Sequence, residues 1–184
     1  MPGFYFTGTG FEDPNGKLER FEVAATHATR LAIGDLVRIT GEANAVTGVP
    51  QVDAPTAGQS ITGVISGIVP GFATENFTDT GLAATTLGAV LVQCDPRAEY
   101  EVDVVNGPLV VANTGLNATY VPTAATNTAG YTQSNMVLNA TGVATTSTLP
   151  LRIVKLLVGS DGVLGSRALV RINESTVIAG ATGV

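Results

Sequence analysis

The sequence predicts an all-β protein, with a single β-barrel-like or β-sandwich domain, an N-terminal arm and long Thr- and Gly-rich loops. Three observations predict it. Val, Thr and Ala dominate the chain and 22 glycines and nine prolines punctuate it; β-branched residues favour pleated strands, and Gly and Pro favour turns. Short stretches alternate apolar and polar residues with a period of two, most cleanly from Ala98 to Val105. Charged residues make up only 13% of the chain, about half the usual share. At 184 residues the chain is long enough to bury one real core. The expected division is an arm over 1–15 and a β domain over 16–184.

Taken in order, Asp13-Pro14-Asn15-Gly16 is a tight-turn signal, because Pro presets φ and Asn-Gly accepts the positive φ that follows. Leu18–Ala25 reads as a strand, and Thr26–Ile33 is the one stretch with room for a short helix. Leu36–Thr40 is the next strand. Residues 41–59 read as loop. Ser60–Val69 is a strand whose interior Gly63 and Gly67 suggest a bulge or a second backbone passing close. Residues 72–86 again read as loop. Leu87–Cys94 is nearly all apolar, as in a strand covered on both faces.

Past Asp95-Pro96, the Ala98–Val105 strand puts Ala98, Tyr100, Val102 and Val104 on one face. Glu99, Glu101 and Asp103 lie on the other. Asn106-Gly107 is a hairpin signal, and Pro108 makes Leu109–Ala112 an edge strand. Leu151–Val158 and Ala168–Ile172 complete the set, with Gly159–Gly162 turning the chain between them. Ser175–Val184 is a small, apolar tail.

The net charge of −6 and the scattered arginines argue against nucleic acid as a partner, since phosphate binding needs clustered Lys and Arg. One cysteine, Cys94, excludes a disulfide-stapled module. Met1–Phe6 lacks the basic and apolar regions of a secretory leader. No apolar run approaches the ~18 residues of a membrane span. The expectation is a protein made in the cytosol, with no membrane partner.

Catalytic chemistry finds little support. His27, the only histidine, has no orienting carboxylate or nucleophile near it in sequence, and reads as a surface or loop residue. Cys94 reads as a small buried hydrophobe. Glu99, Glu101 and Asp103 line one strand face but do not wrap an ion; they read as a solvated face or as partners for arginine on a neighbouring strand. Gly8-Thr9-Gly10 lacks the remainder of a dinucleotide fingerprint. The expectation is no catalytic residue, no cofactor and no metal.

The sharpest feature is the stretch from Val104 to Leu151, which contains no Asp, Glu, Lys, Arg or His. It carries too much Val, Leu and Tyr for a solvated tail, and no titratable group for a pocket. It suits a segment packed against its own core or against another subunit, where charge is depleted at the centre of the patch. Tyr120, Tyr131, Met136, Val137 and Leu138 are the candidate contact residues.

The motif Asp95-Pro96-Arg97-Ala98-Glu99-Tyr100-Glu101-Val102 resembles an acidic strand found in small head proteins of tailed bacteriophages. Thr148-Leu149-Pro150-Leu151-Arg152-Ile153-Val154, after the uncharged region, fits the same pattern. Ala168-Leu169-Val170-Arg171-Ile172-Asn173 resembles their closing strand. The resemblance spans Ser60 to Asn173 and is to the capsid decoration, or cement, proteins. It implies a homodimer or homotrimer on the outer surface of the phage head, made in the host bacterial cytoplasm. It would hold the capsomers of the major capsid protein together. The alternative is a phage tail or fibre module that binds carbohydrate or another host surface, although the chain has no Trp to build a sugar platform.

Overall fold

Strand β1 (Tyr5–Gly8) opens the chain in the computed structural model, which describes residues 2–8, 17–69 and 79–173. The Asp13–Gly16 turn and the Ser175–Val184 tail lie outside those residues. The described chain is all-β. Its only helical element is one 3-10 turn, Val111–Asn113.

The first barrel comes from one continuous stretch. β2 (Leu18–Val23), β3 (Leu36–Ala43), β4 (Pro50–Asp53), β5 (Gly63–Ile68) and β6 (Gly88–Gln93) close in the order β2-β4-β3-β5-β6. β6 returns to β2 in antiparallel register from Leu18↔Gln93 to Val23↔Gly88. Phe21, Val23, Val37, Ile65, Val90 and Val92 fill its interior. Both suggestions made by the β5 glycines hold. The register slips between Ile65 and Gly67, and a Cβ on Gly63 would lie 2.3 Å from the Gln93 carbonyl oxygen.

The second barrel uses β7 (Glu99–Val105), β8 (Asn117–Val121), β11 (Val137–Ala144), β12 (Leu151–Val158) and β13 (Leu164–Ile172). Between β8 and β11, β9 (Thr126–Thr128) and β10 (Tyr131–Gln133) form a separate hairpin. The ladder runs β7-β11-β8-β12-β13 and returns to β7 through β13. β1 takes the Glu99–Glu101 end of β7, and β11 pairs parallel with its Val104–Val105 end. Closure leaves few free edges, the usual liability of β proteins.

The two barrels share an apolar seam. Phe4, Leu36, Ile61 and Val64 belong to the second core although they precede it in sequence, and Ala54 packs against both cores. Two tyrosines stitch the seam. Tyr100 donates to the Gln93 carbonyl at 3.1 Å, and Tyr120 donates to the Thr56 carbonyl at 2.7 Å.

Three local expectations are corrected. Thr26–Ile33 is not helical. Leu31 exchanges both backbone hydrogen bonds with Leu82 at 2.9 Å, which holds it extended. The 41–59 loop contains β4, whose Pro50 sits at the strand start, where a missing donor costs least. Asn106 and Gly107 do adopt positive φ, at 64° and 108°, but no hairpin follows. The flanking strand they would join is already paired with β13. Leu109 donates to the Gly165 carbonyl instead, at 3.0 Å, and Val111–Asn113 turns.

Candidate interaction surface

The polar candidates are satisfied or sequestered. His27 lies in a turn, as expected, but is buried, and its Nδ1 is 2.8 Å from the Ala24 carbonyl. Cys94 is buried and free, and burial pushes its thiol up to about 12, so it stays protonated and unreactive near neutrality. Among the described residues no cluster of three His, Cys, Asp or Glu is placed to hold a metal ion.

The acidic face of β7 is matched by arginines on β13. The register sets Arg167 opposite Asp103 and Arg171 opposite Glu99. Arg167 Nε donates to Asp103 at 2.9 Å and its Nη1 to Glu101 at 2.7 Å; Arg171 Nη2 donates to Glu99 at 2.5 Å. Partly solvated pairs of this kind contribute little each. Arg167→Ala should cost about 1 kcal/mol or less in urea denaturation, and the loss should shrink in high salt.

Sequence reasoning missed two buried carboxylates. Glu22 is fully buried and accepts from the Asn44 amide and from Thr47 Oγ1, which pins the β3–β4 turn. Asp35 is fully buried at the seam. Nothing in the one-dimensional pattern marks either, because their burial comes from pairings distant in sequence.

The five contact candidates from the uncharged stretch divide. Tyr120, Met136 and Leu138 are buried in the second core, so their apolar surface is taken up within the chain. Val137 is partly buried, and Tyr131, on the β9–β10 hairpin, is 60% exposed.

Five of the exposed large apolar side chains gather at one end of the second barrel, while Leu18, Ile33, Val46, Leu87, Leu91 and Tyr131 are exposed elsewhere. The β12–β13 turn carries Val158, Val163 and Leu164, and the loop after β7 carries Val110 and Val111. All five are between 45% and 74% exposed. Two backbone features bring them side by side. Val158 pairs with Leu164 across the hairpin. Gly165 meets Leu109 so closely that a Cβ there would lie 2.0 Å from the Leu109 carbonyl oxygen. In this tip, from Asn106 to Thr114 and from Val158 to Leu164, Asp161 is the only charged side chain. It is occupied by Ser166 Oγ at 2.7 Å and by the Val163 amide at 3.0 Å. An exposed apolar cluster with a single charge among its residues is the kind of patch an interface is built on.

Two shallow basins flank this barrel. One of about 500 Å³ lies over Arg152, Arg171 and Asn173, and one of about 260 Å³ lies over Tyr5, Asp103 and Arg167. In the second, Arg167 holds the Asp103 and Glu101 carboxylates and the Tyr5 hydroxyl donates to the Pro2 carbonyl at 2.8 Å. No helix among the described residues is long and apolar enough to cross a membrane. No family model matches the chain, and neither the curated proteins nor the solved structures yield a match.

Proposed function

We propose that this chain is a virion head decoration protein. It binds the outside of an assembled bacteriophage shell as a homodimer or homotrimer and bridges capsomers of the major capsid protein. The observation that carries this reading is the apolar tip of the second barrel, Val110, Val111, Val158, Val163 and Leu164, on a fold whose charged groups are largely paired within the chain. The residues behind the resemblance support it as a unit. The Asp95–Val102 motif and the Ala168–Asn173 motif lie on neighbouring strands, with Tyr100 opposite Val170 and Glu99 opposite Arg171. Asp95 caps its own turn through the Arg97 amide at 2.8 Å, and Asn173 reaches back to the Leu149 carbonyl at 3.0 Å.

Such a protein works by mass action. A ligand that binds the assembled shell and not its dissociated parts stabilises the shell. Many modest contacts around one particle add avidity. The tail-module alternative gains no support. Sugar stacking needs exposed aromatic faces, and Tyr131 is the one exposed aromatic side chain among the described residues.

The double substitution Val111→Asp, Leu164→Asp tests the reading. Both side chains are exposed, so the melting curve should move little, within about 0.5 kcal/mol. Co-sedimentation with purified empty heads should weaken at least about tenfold, since a charge at the centre of an interface must be desolvated. Head binding that survives the double substitution on a normally folded chain would overturn the reading.

A further inference from the structure

The seam between the barrels contains a carboxylate that the proposed attachment does not use. Asp35 sits between Gly34 and Leu36 and is 0% exposed. Its Oδ2 accepts the Ala32 amide at 2.7 Å, while its buried Oδ1 makes no close hydrogen bond and the Ser134 hydroxyl is the one side-chain donor that acts on the carboxylate. The residues around it are the ones that tie three parts of the chain together. Phe4 N donates to the Gly34 carbonyl at 2.9 Å, and Gly3 N to the Met136 carbonyl at 2.9 Å. Leu36 N donates to Met136 Sδ at 3.2 Å. Gly34 N donates to the Ile65 carbonyl, and Ile65 N to the Asp35 carbonyl. The N-terminal segment is thus threaded between the 34–36 turn of the first barrel and the 134–136 segment of the second.

We propose that Asp35 is a proton-operated latch on this seam, closed when the carboxyl is protonated and loosened when it ionises. An ionised carboxylate fully buried with two weakly compensating donors and no cation beside it carries a desolvation cost that is only partly relieved. Protonation removes the charge, and the carboxyl can still accept from the Ala32 amide while its O–H turns to the Ser134 hydroxyl oxygen. Burial raises the Asp35 carboxyl from 3.8 to about 6, and the Ser134 hydroxyl and Ala32 amide offset this only in part. The charged and titratable groups on the surrounding elements are few. Arg30, before the turn, is engaged by Asp79. Tyr5, on the N-terminal segment, has its hydroxyl raised by burial first and then by the charges of Tyr131, Asp103 and Asp35. Tyr131, on β10, is exposed. None of these supplies a cation to the carboxylate.

The sign follows from linkage. Because the folded-state value lies above the unfolded one, the stability linked to this proton is fully present below about pH 4. It is lost as the pH rises through about 6. The seam therefore tightens in mild acid.

The test compares the full-length wild type with Asp35→Asn and Ser134→Ala by chemical denaturation from pH 4.5 to 7.5. Hydrogen exchange at the Gly3, Phe4 and Leu36 amides is followed in parallel, corrected for intrinsic rates. The wild-type folding equilibrium should fall at least about tenfold relative to Asp35→Asn across this range, with faster opening at those three amides. Ser134→Ala removes the donor that favours the charged form, so its loss should begin at higher pH than in the wild type. This second variant decides the matter if Asp35→Asn does not fold. Wild-type and Asp35→Asn curves that run parallel across the range would overturn the latch, as would a Ser134→Ala transition at the wild-type pH.

Discussion

Truncating Tyr100 to Ala is expected to cost about 3–5 kcal/mol in equilibrium denaturation, the range for a large aromatic deleted from a core. Tyr100 is fully buried and stands on β7, the strand that pairs with β1, β11 and β13. Its ring lies 6.1 Å from that of Phe6, which β1 brings to it through the Phe6↔Tyr100 register. Its hydroxyl crosses the seam to the Gln93 carbonyl, and burial drives that hydroxyl far above its ordinary value, so it stays a donor. Tyr100→Phe keeps the ring and drops the bond, and should cost only about 0.5–1.5 kcal/mol. A Tyr100→Ala loss below about 0.5 kcal/mol would mean that the β7 register described above is wrong.

Gly165→Ala is the second large effect, at roughly 3 kcal/mol or more. Gly165 has φ of +88°, and an added Cβ would lie 2.0 Å from the Leu109 carbonyl oxygen and 2.9 Å from its nitrogen. These are backbone atoms and cannot rotate away. The left-handed conformation alone costs a non-glycine residue about 1–2 kcal/mol. Gly162 supplies the control, with φ of +77° and nothing within 4 Å of the added Cβ, so Gly162→Ala should show that smaller cost by itself. The excess at Gly165 reports the crossing with Leu109. Because that crossing also positions Val110 and Val111, Gly165→Ala should weaken head attachment as well. Equal losses at the two glycines in urea denaturation would show that the crossing is not tight.

Much of the fold was legible because local patterning and tertiary demand agree along β7, β12 and β13. Ala98, Tyr100 and Val102 are buried, and Glu99, Glu101 and Asp103 lie on the opposite face, partly buried under the β13 arginines, in the alternation expected. Val104 departs in degree and is only partly buried against the core. The arginine partners of the acidic face were anticipated as a class, although the β7–β13 pairing that supplies them is not written in either strand. The closure of two barrels was not legible for the same reason. Strand order depends on contacts distant in sequence, and the second core draws Phe4, Leu36, Ile61 and Val64 from the other half of the chain.

The candidate surface was legible only in composition. A charge-poor stretch marks buried and interface residues alike. Tyr120, Met136 and Leu138 went to the core, whereas Val110 and Val111, read as an edge strand, came to the surface once Leu109 had bonded to Gly165. The signal that could have found the tip is a pair of apolar dipeptides, Val110-Val111 and Val163-Leu164, each set beside turn-forming Gly or Pro.

Titration of the purified protein onto empty heads measures the proposed attachment to an assembled shell. Bound copies per head are counted by quantitative sedimentation, with unassembled shell protein as the control. Binding should saturate at a fixed number of copies per head, saturated heads should withstand higher temperature, and binding to unassembled shell protein should be far weaker. Equal affinity for the unassembled protein, or no saturable binding to heads, would contradict the proposed attachment.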